Sequence, residues 1–278
     1  MIKNIVKSLF FCFLFWNCEK ENIHLKPNFL QEIDFVKTVG GTKNEVANSV
    51  VATNDGGYAI LGYTQSNDMD FANKIDDSFD FVILKYTSED TLEWQKTYGG
   101  SKDDRGNKII PTNDGGFALL GYTKSNDLDI TNNAGGKDYW LVKLNSTGNI
   151  SWQKSYGYLG SDYGTSLIQT ADNGFLMIGE LDVTASGGQG NIGPKVEHAG
   201  GDIWAIKTNA SGTIEWSRYY GGTFTDTPFD VVETKEGDFV LVGTSDSTDI
   251  DISNNKGSYD FWVVKISSTG TILWENNF

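Results

Sequence analysis

Cysteine and histidine are nearly absent from this sequence. The two cysteines, Cys12 and Cys18, both lie within the first eighteen residues, and the only histidines are His24 and His198. A folded body without cysteine excludes a disulfide framework, a thiolate metal site and a cysteine nucleophile. A catalytic or metal centre rich in histidine is nearly excluded as well. Nothing matches the P-loop, HExxH, nucleophile-elbow or dinucleotide-binding motifs.

Proline and positive charge are also in short supply. The 278 residues include 4 Pro against 32 Gly, and 22 Lys and Arg against 37 Asp and Glu, which gives a formal net charge of −15. An acidic surface repels phosphate backbones, so nucleic acid is not expected as a partner. Abundant glycine, scarce proline and 13% aromatic residues favour short strands joined by tight turns.

The longest apolar run, Leu9 to Trp16, is too short to span a bilayer. It follows two lysines, and a basic start before a short apolar run predicts an export signal. Because a cysteine and then polar residues follow, residues 1–17 resemble a bacterial lipoprotein signal that is cut before a lipidated Cys18. The resemblance implies an outer-membrane or cell-surface protein that contacts the membrane only through its lipid, with residues 18–32 as a polar tether. An ordinary secretory signal is the alternative.

From residue 33 onward the sequence repeats itself. The segment Trp94–Gly100 recurs as Trp152–Gly157 and Trp216–Gly222, with weaker copies at Phe35–Gly41 and Trp274–Phe278. Counted from Phe35, the intervals are 59, 58, 64 and 58 residues. This regularity predicts one repeat domain over residues 33–278. Its units span about 35–93, 94–151, 152–215 and 216–273.

Each unit contains four strand-like runs, and the middle runs are almost continuously apolar, as in strands buried on both faces. A single sheet cannot bury both faces, but sheets arranged around an axis cover one another. We therefore predict an all-β fold, a β-propeller of four-stranded antiparallel blades with four full repeats plus terminal strand fragments. An open stack of sheets or a sandwich array is the alternative. Because Ile33–Thr38 and Ile272–Asn277 both match the outermost strand, closure of the ring is the least certain feature.

The unit resembles the SBBP-type β-propeller repeat of secreted bacterial proteins. The motifs that carry the resemblance are Thr97–Gly100 with Asp103 and Asp104, Gly116–Thr123, and Asp138–Leu144. Together with their repeats they cover about residues 33–278. The resemblance implies fold and export, and it supplies no catalytic residues.

The loop between the second and third strands of the units is rich in Asp and Asn. These oxygens are hard ligands of the kind that Ca²⁺ prefers. The alternative is that they form Asx-turns and cap strand ends without a metal. The candidate calcium ligands are Asp68, Asp70, Asp80, Asp127, Asp129, Asn133, Asp138, Asp249, Asp251, Asn255 and Asp260.

Three further features are candidates for function. The loop 185–202 of the third unit is the longest, and it offers Lys195, Glu197 and His198 as a possible ligand site. The repeated tryptophans lie in the middle of strands and are expected to pack between blades. The repeated Asp-x-x-x-x-Lys pairs are also expected to be architectural, because their odd separation puts Asp and Lys on opposite faces of a strand, where they do not pair directly. The tryptophans are Trp140, Trp204 and Trp262, and the pairs are Asp80/Lys85, Asp138/Lys143, Asp202/Lys207 and Asp260/Lys265.

The sequence as a whole predicts a non-enzymatic binding or scaffold module that is exported and acts as a monomer on a protein or glycan. Two alternatives remain open at this point. One is a Ca²⁺-dependent adhesin or glycan-binding protein, and the other is a propeller hydrolase or lyase that acts on glycans through loop carboxylates. No cofactor other than Ca²⁺ is suggested.

Overall fold

The computed structural model of the chain describes residues 37–186, 198 and 200–278. Within these residues the fold is all-β, with one short 3₁₀ helix at Met69–Phe71. No helix in the described part of the chain is both long and apolar enough to cross a membrane. The predicted export signal and Cys18 lie outside the described residues.

Sixteen strands in the described chain form four separate antiparallel sheets of four strands each, which we call blades 1 to 4. Blade 1 contains β1 (Glu45–Ala52), β2 (Tyr58–Thr64), β3 (Asp80–Tyr86) and β4 (Leu92–Tyr98). Blade 2 contains β5 (Asp104–Pro111), β6 (Phe117–Thr123), β7 (Asp138–Leu144) and β8 (Ile150–Tyr156). Blade 3 contains β9 (Tyr163–Gln169), β10 (Phe175–Asp182), β11 (Gly201–Thr208) and β12 (Ile214–Tyr220). Blade 4 contains β13 (Asp226–Glu233), β14 (Phe239–Ser245), β15 (Asp260–Ile266) and β16 (Ile272–Asn277).

Strands that are consecutive in the chain are neighbours in each blade, and the first strand of each blade lies on the inner side. The turn after the first strand is built by an aspartate: Asp55 Oδ1 accepts hydrogen bonds from Thr53 Oγ1 at 2.5 Å and from Gly57 N at 3.1 Å. The next turn residue has positive φ, and it is Gly115 (φ 81°) in blade 2 and Asn173 (φ 64°) in blade 3. Gly and Asn tolerate this conformation best, which explains the repeated Asn-Asp-Gly-Gly signal.

The core consists of three apolar layers, one at each junction between successive blades. Side chains alternate between the two faces of a strand. In blade 2, Leu119 and Trp140 therefore face blade 1, while Leu120 and Tyr139 face blade 3. This is why the middle strands read as continuous apolar runs. The predicted all-β propeller architecture of four-stranded antiparallel blades is confirmed.

The four blades form an open arc. The inner strands β1, β5, β9 and β13 pack in succession, and each blade packs on the first strand of the next. In the described residues, no comparable packing joins a strand of blade 4 to a strand of blade 1. One sheet face therefore lacks a neighbouring blade at each end of the arc. The final strand, β16, is the outermost strand of blade 4, and residues 33–36 lie outside the described part.

Candidate functional site

The aspartates of the acidic loops accept hydrogen bonds from the Gly-Gly segments that precede blades 1, 2 and 4. Asp127 accepts hydrogen bonds from Ser101 N at 2.8 Å and from Ser101 Oγ at 2.6 Å. Asp129 Oδ2 accepts from Gly99 N at 3.2 Å, and Asp129 N donates to Gly99 O at 3.3 Å. Because the same bonds recur in other blades, they belong to the repeat. The equivalents are Asp68 with Thr42, Asp70 with Gly40, Asp249 with Thr223 and Asp251 with Gly221.

The remaining predicted ligands stabilise turns. Asn133 Oδ1 accepts from Gly135 N at 2.9 Å, and Asn133 Nδ2 donates to Thr123 O at 2.9 Å. Asp138 Oδ2 accepts from Ala134 N at 2.6 Å. In blade 4, Asn255 bonds Gly257 and Ser247 in the same way, and Asp260 bonds Lys256 N.

Among the described residues, no group of three or more Asp, Glu, His or Cys side chains is arranged to hold a metal ion. Most of the predicted ligands instead make the local turn and capping bonds described above, which was the alternative interpretation of the acidic loops. Asp80 differs, because its Oδ2 lies 3.4 Å from Lys74 Nζ. The calcium hypothesis stays a prediction.

Sequence reasoning missed a buried pair of carboxylates at every junction between blades. At the first junction, Asp104 Oδ2 accepts from Gly100 N at 2.8 Å and from Ser125 Oγ at 2.8 Å, while its Oδ1 accepts from Thr123 Oγ1 at 2.5 Å. The Asp80 carboxylate lies against Gly99, the glycine that precedes Gly100. The spacing Gly-x-x-x-Asp, at Gly100/Asp104 and Gly222/Asp226, carried this signal for two of the three pairs. The three pairs are Asp80 with Asp104, Asp138 with Asp162, and Asp202 with Asp226.

Burial disfavours the charged form of these carboxyls and raises their pKa. The pKa is about 7 for Asp80 and Asp162, about 6 for Asp138 and Asp226, and about 9 for Asp202. The neighbouring carboxylate raises the pKa of one member of each pair further. The protonated form of these carboxyls is therefore favoured up to a higher pH than in an unfolded chain, most of all at Asp202.

His198 belongs to the third of these junctions. Its Nδ1 lies 2.5 Å from Asp202 Oδ2, its Nε2 lies 3.9 Å from Asp251 Oδ2, and its ring meets Tyr219 edge to face at 4.7 Å. Burial lowers the pKa of His198 and raises that of Asp202, so burial disfavours the charged form of both side chains. A His–Asp pair can orient a general base, but only 2% of the His198 side chain is exposed.

His198, the histidine of the candidate ligand site, is thus buried in the fold. Lys195 and Glu197 lie outside the described residues, so the structure does not place them relative to His198. With so little exposure, the His198 ring is out of reach of a dissolved substrate. Its contacts in the structure are those of a residue that closes the third junction.

The repeated Asp-x-x-x-x-Lys residues do not pair with each other, as predicted. Lys85 Nζ instead lies 2.8 Å from Asp55 Oδ2 and 3.1 Å from Glu93 Oε2, and it donates to Tyr86 O at 2.9 Å. The lysine thereby ties the first hairpin of a blade to the last. Lys143, Lys207 and Lys265 do the same with Asp114, Asp172 and Asp238.

The repeated tryptophans lie in the layers between blades, and the packing role predicted for them is confirmed. Trp140, Trp204 and Trp262 are at most 2% exposed. A sugar-stacking platform would require exposed rings, so these three side chains do not form one.

Replacing Gly99 with Ala should cost about 1–3 kcal/mol of unfolding free energy, the range for overpacking. A Cβ at Gly99 would overlap the Asp80 carboxylate, which is buried at the first junction. Gly40 is the matched control, because it occupies the same place before blade 1, where a Cβ would meet only Glu45 Oε2 at 3.2 Å. Urea denaturation of both variants measures the difference. Equal losses would contradict the tight junction.

Comparison with known proteins adds little at the level of sequence. No family model matches the chain, and no curated protein matches it either. Among solved structures, the chain is similar to a provisionally assigned gluconolactonase. The identity is 11%, the match covers 82% of this chain and 77% of the other, and the TM-score is 0.37. A similarity of this size does not assign an activity to the chain.

Proposed function

We propose that this protein is an exported, lipid-anchored β-propeller that serves as a non-enzymatic binding or scaffold module at the cell surface or outer membrane. The observation that carries the proposal is the hydrogen bonding of the loop carboxylates. Most of the loop carboxylates that could have served as catalysts or metal ligands accept hydrogen bonds from nearby backbone and hydroxyl groups. The resemblance to SBBP-type repeats is consistent with this proposal, since it implies export and supplies no catalytic residues.

The exposed surface also favours binding. Large apolar side chains are solvent-accessible in several places, and aromatic ones are concentrated on and beside blade 4. They are Phe224, Phe229, Tyr259, Phe261, Trp274 and Phe278. Exposed aromatic side chains of this kind are typical of contact surfaces for proteins or glycans.

The anchor is tested by labelling bacteria that produce the protein with radioactive palmitate. We expect label on the wild type and on a Cys12→Ser variant, and none on Cys18→Ser. Cys12 is the matched control, because it lies six residues earlier, inside the apolar run that precedes Cys18. The unlabelled variant should leave the membrane fraction. Equal labelling of Cys18→Ser would overturn the anchor.

The absence of catalysis is tested separately on the purified protein. Incubation with a panel of bacterial and plant polysaccharides should release no new reducing ends and no unsaturated products. If either product is released, and if replacing a loop carboxylate abolishes that release, the protein is the hydrolase or lyase of the alternative hypothesis and not a binding module. Retention of the protein on an immobilised polysaccharide without product would identify a glycan as the partner.

A further inference from the structure

Each end of the arc carries one half of an interface that the chain forms three times internally. We call the face that a blade turns to its successor the forward face, and the opposite one the rear face. In blade 2 the forward face contains Leu120 and Tyr139, and the rear face contains Leu119 and Trp140. Among the residues that the structure describes, no blade packs on the forward face of blade 4 or on the rear face of blade 1.

The forward face of blade 4 exposes the side chains that other blades bury there. Phe261 is 55% exposed, whereas Phe81 and Tyr139, at the same position in blades 1 and 2, are at 0%. Val232 and Trp274 on this face are 54% and 43% exposed. The tryptophans equivalent to Trp274 meet an aromatic ring of the next blade at 5.8–6.5 Å between centroids: Trp94 with Phe117, Trp152 with Phe175, and Trp216 with Phe239.

The rear face of blade 1 is exposed in the corresponding way. Val50 is 64% exposed, while its equivalents in blades 2, 3 and 4 are at most 2% exposed. A groove on this face is lined by Ile60, Val82, Leu84 and Phe71. Val82 stands where the other three blades have a tryptophan, so this face has room for an additional large side chain.

The two free faces present side chains at the positions that form the internal junctions. At the first junction, the Phe81 ring of the forward face packs edge to face on Trp140 of the rear face, with centroids 4.6 Å apart. At a junction between blade 4 and blade 1, Phe261 would meet Val82 and enter the groove. Phe261 would thus take the place that Phe81 has at the first junction, and it would face Val82 in the place of Trp140.

We propose that two copies of the chain pack end to end, with the forward face of blade 4 of each copy on the rear face of blade 1 of the other. Two copies of four blades make a ring of eight, which is within the usual size of propellers. The contact is heterologous, and closure after two copies leaves neither face exposed. A second copy is the preferred occupant because the chain itself carries both halves of a contact that it already makes internally. This departs from the monomer predicted by the sequence and does not depend on the proposed function.

The mass of the full chain in solution tests the proposal. The chain carries Cys18→Ser, so that no lipid drives association. Analytical ultracentrifugation should give twice the chain mass at high concentration and dissociation on dilution. Because both partners are acidic, the dimer should tighten as salt screens their repulsion. A monomer at every concentration and salt level would overturn the proposal.

Two blocking variants test the end-to-end geometry. Phe261→Asp blocks only the forward face of blade 4, and Val50→Asp blocks only the rear face of blade 1. Each alone should weaken association at least tenfold. Mixed together, they should form a heterodimer through the one junction that remains intact, which an interface using the same patch twice would not allow.

Phe224→Asp is the control, because Phe224 is 57% exposed in the loop between blades 3 and 4 and lies on neither free face. This variant should dimerise like the parent. Near-ultraviolet circular dichroism verifies that all three variants are folded. Dimerisation of Phe261→Asp and Val50→Asp with the parent's affinity would overturn the proposal, as would failure of the mixture to associate.

Discussion

Replacing Trp140 with Ala should lower the free energy of unfolding by about 3–5 kcal/mol, the range for truncating a large aromatic residue in a core. Trp140 is fully buried at the first junction, where its ring packs on Phe81 at 4.6 Å between centroids. Its Nε1 also donates to Gln153 Oε1 at 3.0 Å. The variant leaves a cavity between two blades and removes this hydrogen bond. Urea denaturation followed by circular dichroism measures the loss.

Trp274→Ala is the matched control for Trp140→Ala. Trp274 lies on the outer strand of blade 4 and is 43% exposed, so its truncation should cost clearly less, about 1 kcal/mol. The measurement belongs at low protein concentration, where association of copies does not contribute. If both variants lost the same stability, the layers between blades would not be the main source of stability.

Much of the fold was predictable because the pattern that specifies a blade is local. The run Asp138–Leu144 is apolar at nearly every position, which indicates a strand covered on both faces. The turn Asn113–Gly116 contains the aspartate and glycines that a tight hairpin needs. Each of these signals acts within a few residues, and four repetitions make them unmistakable.

The junction carboxylates were not predictable in the same way. Asp80 and Asp104 lie in different blades, and only the packing of one blade on the next brings them to the same pair of glycines. Likewise, the sequence placed His198 in the long loop 185–202 as part of a possible ligand site. His198 is buried because Asp202 and Tyr219 of blade 3 form a site that its ring fills.

The open arc illustrates a third limit. Repeated sequences specify which faces of a blade are apolar, but the angle between successive blades depends on the sizes of side chains in the shared layer. The exception at Val82, where other blades have tryptophan, was visible in the sequence without a meaning. The substitution can be interpreted only with the structure, in which no blade among the described residues packs on the rear face of blade 1.

Raising the pH from about 7 to about 9 should destabilise this protein. Burial raises the pKa of Asp202 to about 9 and that of Asp162 to about 7, whereas an unfolded Asp has a pKa of about 3.9. Over this interval the unfolded chain has already lost these protons and the folded chain retains them. The contribution of each carboxyl to stability is therefore fully present below its pKa in the unfolded chain and is lost as the pH rises to its pKa in the folded chain. Urea denaturation across the interval measures this loss.

Asp202→Asn should remove part of this dependence, because an amide mimics the protonated carboxyl and can still donate to His198 Nδ1. Between about pH 7 and 9 the unfolded histidine is already neutral, so the change reports on Asp202. The difference in unfolding free energy between variant and wild type near pH 4 serves as the reference. Relative to that difference, the variant should be more stable than the wild type near pH 8 by at least about 1.4 kcal/mol, the equivalent of one pKa unit. A variant whose stability falls with pH as steeply as the wild type would show that Asp202 is not the responsible group.

Asp114→Asn provides the opposite case. Although burial acts to raise the pKa of Asp114, hydrogen bonds from Lys143 and Thr112 hold it at about 2. Its contribution is present above the unfolded pKa and disappears as pH falls, so the variant should be less stable than the wild type at neutral pH and should approach it in acid. Because Asp114 is largely exposed, this loss should be small. Opposite signs for the two Asn variants at about pH 8 would separate the junction carboxyls, which resist ionisation, from the turn carboxylates, which require it.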